Sequence, residues 1–206
     1  MERRKTFIIG GGASLKPHLD MLKELHKYGT VIGIKDTVFH VPCTVGLNMD
    51  REWFEHRYKL LPLDGQPFWL REGCTRNVGN DADFHIFHGL TYTNELAEVP
   101  GMLNGAHSGM KAVNFAYHLG LNQDVYCLGF DMGPQPNGDA YWYPWYEYHP
   151  TQKLSGKYKT WATQFGRAEA QCALRQIDLW NVNLVKSIPD MMHMGFKEFE
   201  KCLQQP

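Results

Sequence analysis

The chain has 206 residues, of which 43% are hydrophobic and 21% are charged, and this composition predicts one globular domain spanning residues 1–206. The formal net charge of -1 excludes the strong positive field on which non-specific nucleic-acid binding depends, although it allows a local basic patch. Without a long apolar run or a signal-peptide core, the sequence predicts a cytoplasmic protein with no membrane span.

The first segments predict a strand, a glycine turn and a helix. Apolar residues at 6–9 precede the glycines at 10–12, and a helix-like stretch follows at 16–28. Glycines let the backbone turn sharply and approach a ligand, and the N–H groups at a helix start attract an anion. The turn therefore predicts a nucleotide- or phosphate-binding site that includes Ser14, although it matches neither the spaced dinucleotide fingerprint nor the P-loop.

Strand-like and helix-like segments then alternate, which is typical of a parallel sheet covered by helices. The later strands are predicted at 31–34, 45–48, 68–71, 84–88, 125–128 and 182–185, and the later helices at 51–56, 109–119, 161–179 and from residue 195. Asp50 and Ser108 are predicted to be helix N-caps. We therefore predict a single Rossmann-like, mostly parallel sheet with helices on both faces.

A loop at 133–150 interrupts the alternation and is long for a connection inside a compact domain. Seven of its eighteen residues are Tyr, Trp or His, a composition that argues against disorder. We interpret it as an aromatic lid in which Tyr143, Trp145, Tyr146 and Tyr148 contact the acceptor or the phosphate, because such rings stack on sugars and bases. The alternative is that these rings form a small core of the loop itself.

Several short motifs resemble, in order, those of known families. They lie at 9–16, 48–50, 108–109 with Ala112 and Ala116, 119–120 and 129–132. This order is similar to the blocks shared by the bacterial sialyltransferases and the MptE-like hydroxymethylpterin pyrophosphokinase group. Segments 50–56 and 145–150 further resemble uncharacterised phage proteins of the norphogenetic type.

The resemblance implies a nucleotide site. In the sialyltransferases the first glycine loop and a later Ser-Gly helix start hold a cytidine nucleotide, tyrosines hold its phosphate, and a histidine acts as base without a metal. Carried over, it implies nucleotide contacts from Gly10, Gly11, Gly12, Ser14, Lys35, Asn48, Asp50, Ser108 and Gly109. Because Gly11 and Lys35 stand where the family has asparagines, the base is left open, whereas a lysine suits a phosphate.

His149 and Asp131 are the candidate catalytic residues. A histidine with an ordinary pKa of about 6.5 can accept a hydroxyl proton near neutrality. Asp131 follows a predicted strand and could bind ribose hydroxyls, orient His149 or bind a cation. The alternatives are that His149 only hydrogen-bonds within the aromatic loop and that Asp50 is no more than a helix cap.

Three functions fit these residues. The one we predict is a glycosyltransferase-like reaction that moves a sugar from a nucleotide-activated donor to a hydroxyl, with a histidine base, no metal and no permanently bound cofactor. The second is a Mg²⁺-dependent pyrophosphokinase of the hydroxymethylpterin type, for which Asp50, Asp131 and Asp81 or Asp83 are candidate metal ligands. The third is a non-catalytic nucleotide-binding phage protein.

The donor nucleotide is the predicted small-molecule partner, and a nucleic acid or a glycan is the expected acceptor. The oligomeric state is left open. The Asp81-Ala82-Asp83 segment mimics a metal motif but is also ordinary turn chemistry, and we interpret it as coincidence. Five widely spaced cysteines, none in a C-x-x-C pair, predict reduced thiols rather than disulfides or a zinc site.

Overall fold

The structure is a computed structural model that describes residues 3–61, 65–75, 84–90, 93, 95–134, 138–139, 141–143 and 155–205. Its strands are β1 (Arg4–Ile9), β2 (Thr30–Ile34), β3 (Val45–Asn48), β4 (Phe68–Arg71), β5 (His85–Phe87), β6 (Gln123–Leu128), β7 (Ile177–Val182) and β8 (Met192–Met194). They form one eight-stranded sheet in the order β5-β4-β3-β2-β1-β6-β7-β8. Every strand pairing in it is parallel, which confirms the predicted Rossmann-like α/β fold.

The α-helices are α1 (Leu19–Glu24), α2 (Arg51–Arg57), α3 (Ser108–Leu119), α4 (Ser155–Thr163), α5 (Phe165–Leu174) and α6 (Phe196–Leu203). Successive β1 side chains point to opposite faces of the sheet. Ile8 packs in one buried cluster with α3 and α5, whereas Phe7 packs in another with α1 and α6. Helices therefore cover both faces, as predicted. Among the described helices, none is both long enough and apolar enough to span a bilayer.

The sheet changes direction between β1 and β6. The chain builds outward from β1 to β5 on one side and then returns to place β6 on the other side of β1. The loops that follow β1 and β6 therefore leave neighbouring strand ends in different directions. In open α/β sheets, ligands bind in the crevice that forms at this switch point.

The predicted first helix at 16–28 is wrong in type over much of its length. It consists of a 3₁₀ helix at Ala13–His18, then α1, then a second 3₁₀ turn at Leu25–Lys27. Pro17 lies inside the first segment, where it lacks the N–H that an α-helical bond needs. Because that segment has only six residues of 3₁₀ helix, it offers no long helix dipole behind the glycine turn.

The predicted helix at 161–179 and strand at 182–185 are also wrong in their bounds. The helical region is two helices, α4 and α5, and Gln176 ends it with a left-handed φ of 59°. Residues 177–179 belong to β7, and Leu184 and Val185 lie beyond it as exposed residues. The short strand β8 was not predicted, and α6 begins at Phe196, close to the predicted start.

Candidate functional site

A cleft of about 720 Å³ lies at the carboxyl ends of the central strands, a volume ordinary for a small-molecule site. The loops after β1, β2, β4 and β6 line it together with the starts of α2 and α3. The predicted site residues that it brings together are Gly10, Gly11, Gly12, Lys35, Asp50, Ser108, Gly109, Asp131 and Tyr143. The cleft therefore occupies the switch point that the fold provides.

Two predicted nucleotide contacts do not line the cleft. Asn48 is fully buried, where its amide donates to the Asp50 carbonyl at 2.8 Å and accepts from the Asp50 N–H at 2.9 Å. Ser14 is also buried, and its hydroxyl donates to Asp131 at 2.6 Å. Both side chains fix loop geometry around the cleft.

Several predicted residues lie outside the described part of the chain. These are His149, Trp145, Tyr146 and Tyr148, and also the segment 81–83. The base role of His149 and the aromatic lid therefore stay predictions.

The glycine turn is bonded to the loop after β6. The Gly12 N–H donates to the Gly129 carbonyl at 2.9 Å, and the Ser14 N–H donates to Asp131 Oδ2 at 2.9 Å. A Cβ on Gly12 would lie 2.5 Å from Asp131 Cγ, so glycine is needed there for close packing. This corrects the expectation that the amides of Gly12 and Ser14 are available to an anion.

A short aromatic segment, residues 141–143, lies on the other side of the glycine turn. The Trp142 N–H donates to the Gly11 carbonyl at 3.1 Å, and its indole N–H donates to the Gly10 carbonyl at 2.9 Å. A Cβ on Gly11 would lie 2.5 Å from the Tyr143 hydroxyl. The turn thus supports an aromatic wall of the cleft.

The start of α3 lines the cleft. His107, not the predicted Ser108, is the N-cap, because its Nδ1 accepts from the Met110 N–H at 3.3 Å. Ser108 and Gly109 are the first two helical residues, whose N–H groups have no acceptor within a helix. This helix has 12 residues, so its dipole adds to the attraction for an anion.

His107 is held as a neutral imidazole. Burial lowers its pKa to about 3, an effect that the nearby Trp161 backbone offsets only in part. Its ring lies 5.1 Å from the Trp161 ring and 5.5 Å from the Phe165 ring, centroid to centroid. Because Nδ1 is the cap acceptor, the hydrogen is on Nε2, which is buried and has no hydrogen-bond partner among the described residues.

Lys35 and Asp50 form an ion pair at the ends of β2 and β3, with 3.0 Å between Nζ and Oδ2. Asp50 also accepts from the Trp53 N–H at 3.3 Å, which confirms it as the N-cap of α2. Lys35 and Met132 each have a φ of 53° and both line the cleft. Such left-handed residues cost about 1 kcal/mol or more and cluster at functional sites.

Two tyrosines in the cleft keep their protons at neutral pH. Burial raises the pKa of Tyr141 and of Tyr158, and the interaction with Tyr158 raises that of Tyr141 further. Tyr158 and Trp161 come from α4, and their rings make an edge contact with centroids 5.6 Å apart. The cleft therefore combines flat aromatic faces with hydroxyl donors, which suits a sugar or a base.

Sequence reasoning missed several residues that line the cleft, namely Arg71, His107, Lys157, Tyr158 and Trp161. Arg71 could have been predicted, because it ends a predicted strand, and the carboxyl ends of parallel strands are where ligands bind. The residues of α4 had none, since only the path of the chain after the aromatic segment brings them to the cleft.

Nothing in the described residues resembles a metal centre: no group of three or more His, Cys, Asp or Glu side chains there could hold a metal ion. The five cysteines are free thiols, of which Cys74, Cys127 and Cys172 are buried. The prediction of a metal-independent reaction is not tested by this observation.

Comparison with known proteins gives a likeness of fold. No family model and no curated protein matches the chain. Among solved structures, it is similar to the MAf glycosyltransferase from Magnetospirillum magneticum AMB-1, with a TM-score of 0.56 and 11% identity over 95% of this chain and 34% of that one. The chain thus spans about a third of the length of that glycosyltransferase, and at this identity the likeness shows the fold alone.

Proposed function

We propose that the protein is a transferase that moves a sugar from a nucleotide-activated donor to a hydroxyl acceptor. The observation that carries the proposal is the cleft between the glycine turn and the start of α3, which lies where α/β sheets bind nucleotides. The likeness in fold to a glycosyltransferase supports this reaction class. The acceptor, a nucleic acid or a glycan in a phage setting, is proposed from the sequence resemblance alone.

The leaving phosphate would lie at the start of α3. Ser108 and Gly109 line the cleft there as the first residues of α3, and a helix N-terminus stabilises the negative charge that develops as the sugar departs. The hydroxyls of Tyr141, Tyr143 and Tyr158 border the same space and could donate to phosphate or sugar oxygens.

His149 remains our proposed base. His107 is a poor candidate, because a pKa of about 3 makes the imidazole too weakly basic to take a hydroxyl proton near neutrality. Asp131 already accepts hydrogen bonds from Ser14 and Asn183, which suits a residue that positions the glycine turn. We therefore assign Asp131 a positioning role in the reaction.

The test is nucleotide-sugar hydrolysis in EDTA, preceded by a thermal-shift screen with CMP, UDP, GDP and ADP and their sugar conjugates. We expect one donor to be hydrolysed without metal, and His149→Ala to lower kcat by about 100-fold or more while binding persists. The control is His26→Ala, an exposed histidine after α1, which should change neither quantity.

Other results would point to the alternative functions. Mg²⁺-dependent ATP turnover with a pterin alcohol would identify a pyrophosphokinase. Nucleotide binding with no turnover in either assay, unchanged in His149→Ala, would identify a non-catalytic binding protein.

A further inference from the structure

Arg71 is a half-buried cation in the cleft. It is the last residue of β4 and lines the cleft from the side opposite the glycine turn along the sheet. Within the described part of the chain it forms no ion pair, and its Nε is buried without a hydrogen-bond partner. A buried N–H without an acceptor costs free energy, so an anionic oxygen that reached Nε from the cleft would stabilise it.

Most other charged groups around the cleft already have a partner. Lys35 pairs with Asp50 at 3.0 Å and Arg51 with Glu55 at 3.3 Å, while Glu72 is hydrogen-bonded to His88 at 2.8 Å and Asp131 accepts from Ser14. Among the described lining residues, Lys157 and Glu52 also lack an ion-pair partner, but both are exposed and can be solvated by water. Arg71 differs from them in its burial.

A second cation lies behind Arg71. Lys111 of α3 is fully buried, its amine donates to the Leu103 carbonyl, and its Nζ lies 5.3 Å from the centroid of the Phe87 ring. Phe87 is also the residue that pairs with Arg71 across β4 and β5. Burial and, to a smaller extent, the charge of Arg71 together lower the pKa of Lys111 to about 8. The two cations are therefore close enough for each to act on the charge of the other.

We propose that Arg71 is the anion ligand of the cleft and binds a phosphate of the nucleotide donor together with the N–H groups of Ser108 and Gly109. Guanidinium presents parallel N–H donors that match two oxygens of one phosphate. Lys111 sustains the positive potential behind this contact. This assignment depends on the proposed function only in taking the ligand to be a nucleotide. The anion site itself is inferred from Arg71, Lys111 and the start of α3.

The test is isothermal titration with inorganic pyrophosphate at fixed ionic strength. We expect the wild type to bind and Arg71→Gln to bind about 10- to 100-fold more weakly, because charge-assisted bidentate hydrogen bonds are lost. Arg71→Lys should lose less affinity for pyrophosphate, since lysine keeps the positive charge but lacks the parallel N–H donors of guanidinium. Arg167→Gln is the matched control, because Arg167 is exposed, pairs with Glu95 at 2.9 Å and lies outside the cleft lining.

The outcomes separate this inference from the proposed function. Loss of pyrophosphate binding in Arg71→Gln supports the anion site even if no nucleotide sugar is ever hydrolysed. Wild-type pyrophosphate affinity in Arg71→Gln, or no pyrophosphate binding by the wild type, overturns it even if sugar transfer is found. If Arg71→Gln does not fold, the pyrophosphate affinity of Arg71→Lys is compared with that of the wild type instead. Weaker binding by Arg71→Lys supports the anion site, and unchanged binding overturns it.

A sugar carboxylate offers the same two oxygens as a phosphate, so glucuronate is titrated in parallel. Weaker glucuronate binding in Arg71→Gln with unchanged pyrophosphate binding would assign Arg71 to a carboxylate of the sugar and overturn the phosphate assignment. Weaker pyrophosphate binding in Arg71→Gln with unchanged glucuronate binding would support the phosphate assignment.

Discussion

The carboxylate of Asp131 holds the glycine turn in place by accepting hydrogen bonds from both the N–H and the hydroxyl of Ser14, at 2.9 and 2.6 Å. Asn183, which follows β7, donates a third bond to Asp131 at 3.1 Å. Because the loops after β1 and β6 diverge at the switch point, this contact ties them together at the edge of the cleft. The position of Gly11 and of the aromatic segment on it therefore depends on Asp131.

Asp131→Asn should lower the free energy of unfolding by about 1–3 kcal/mol, since an amide N–H would then face a donor of Ser14 or Asn183. The measurement is equilibrium unfolding in urea. Asp20→Asn is the control, because Asp20 is exposed on α1 and contacts only Lys23 among the described side chains. Equal stability of the two variants would show that the Asp131 contacts do not stabilise the fold.

Gly12→Ala should be destabilising by about 1–3 kcal/mol through overpacking. The added Cβ would lie 2.5 Å from Asp131 Cγ and 2.6 Å from the Gly129 carbonyl oxygen. Neither the backbone nor the hydrogen-bonded carboxylate can move away without a cost in free energy. Gly133→Ala is the matched control, since Gly133 also lines the cleft but has open space around its Cβ position. If thermal melting places both variants at the wild-type temperature, the close packing of Gly12 is not significant.

The sheet could be predicted from the sequence wherever a strand is buried on both faces. The apolar runs at 6–9 and 45–48 identify β1 and β3, because central parallel strands carry continuous rather than alternating hydrophobic residues. The region after α5 could not be predicted in this way. After α5 ends at Leu174, Gln176 adopts a left-handed conformation that glycine normally marks, and without that glycine the sequence pattern predicts helix into β7.

The site residues that could be predicted from the sequence are those that lie just after the end of a strand. Lys35, Asp50 and Asp131 follow the ends of β2, β3 and β6 within about three residues and do line the cleft. The hydrogen bonds of Ser14 could not be foreseen, because its partner Asp131 is 117 residues away in sequence. The partial burial of Arg71, with no ion pair to another described residue, is likewise a property of the assembled sheet and cannot be read from the local sequence.

His107→Asn should flatten the acid dependence of stability. With a pKa of about 3 when folded and about 6.5 when unfolded, His107 gains a proton only on unfolding. The unfolded chain therefore binds more protons in this window, and stability falls as pH decreases from about 6.5 towards about 3. Asparagine can still accept from the Met110 N–H as an N-cap but does not titrate.

The measurement for His107→Asn is urea unfolding at a series of pH values from about 7 down to about 4.5, compared with the wild type. The two curves should converge or cross as the pH falls, with a difference in slope of up to about 1.4 kcal/mol per pH unit. Parallel curves would mean that folding does not lower the pKa of His107.

Lys111→Met should reveal the cost of the buried amine through an alkaline pH dependence. The pKa of Lys111 is about 8 when folded and about 10.4 when unfolded, so between these values the unfolded chain binds the extra proton. The stability of the wild type relative to Lys111→Met should therefore rise as pH increases from about 8 to about 10, by at most about 3 kcal/mol. Burial raises the pKa of Cys127 and Tyr126, but this affects both proteins equally and cancels in the difference. A difference in unfolding free energy that stays constant over this range would show that folding does not lower the pKa of Lys111, and Lys111 would then lend no support to the Arg71 site.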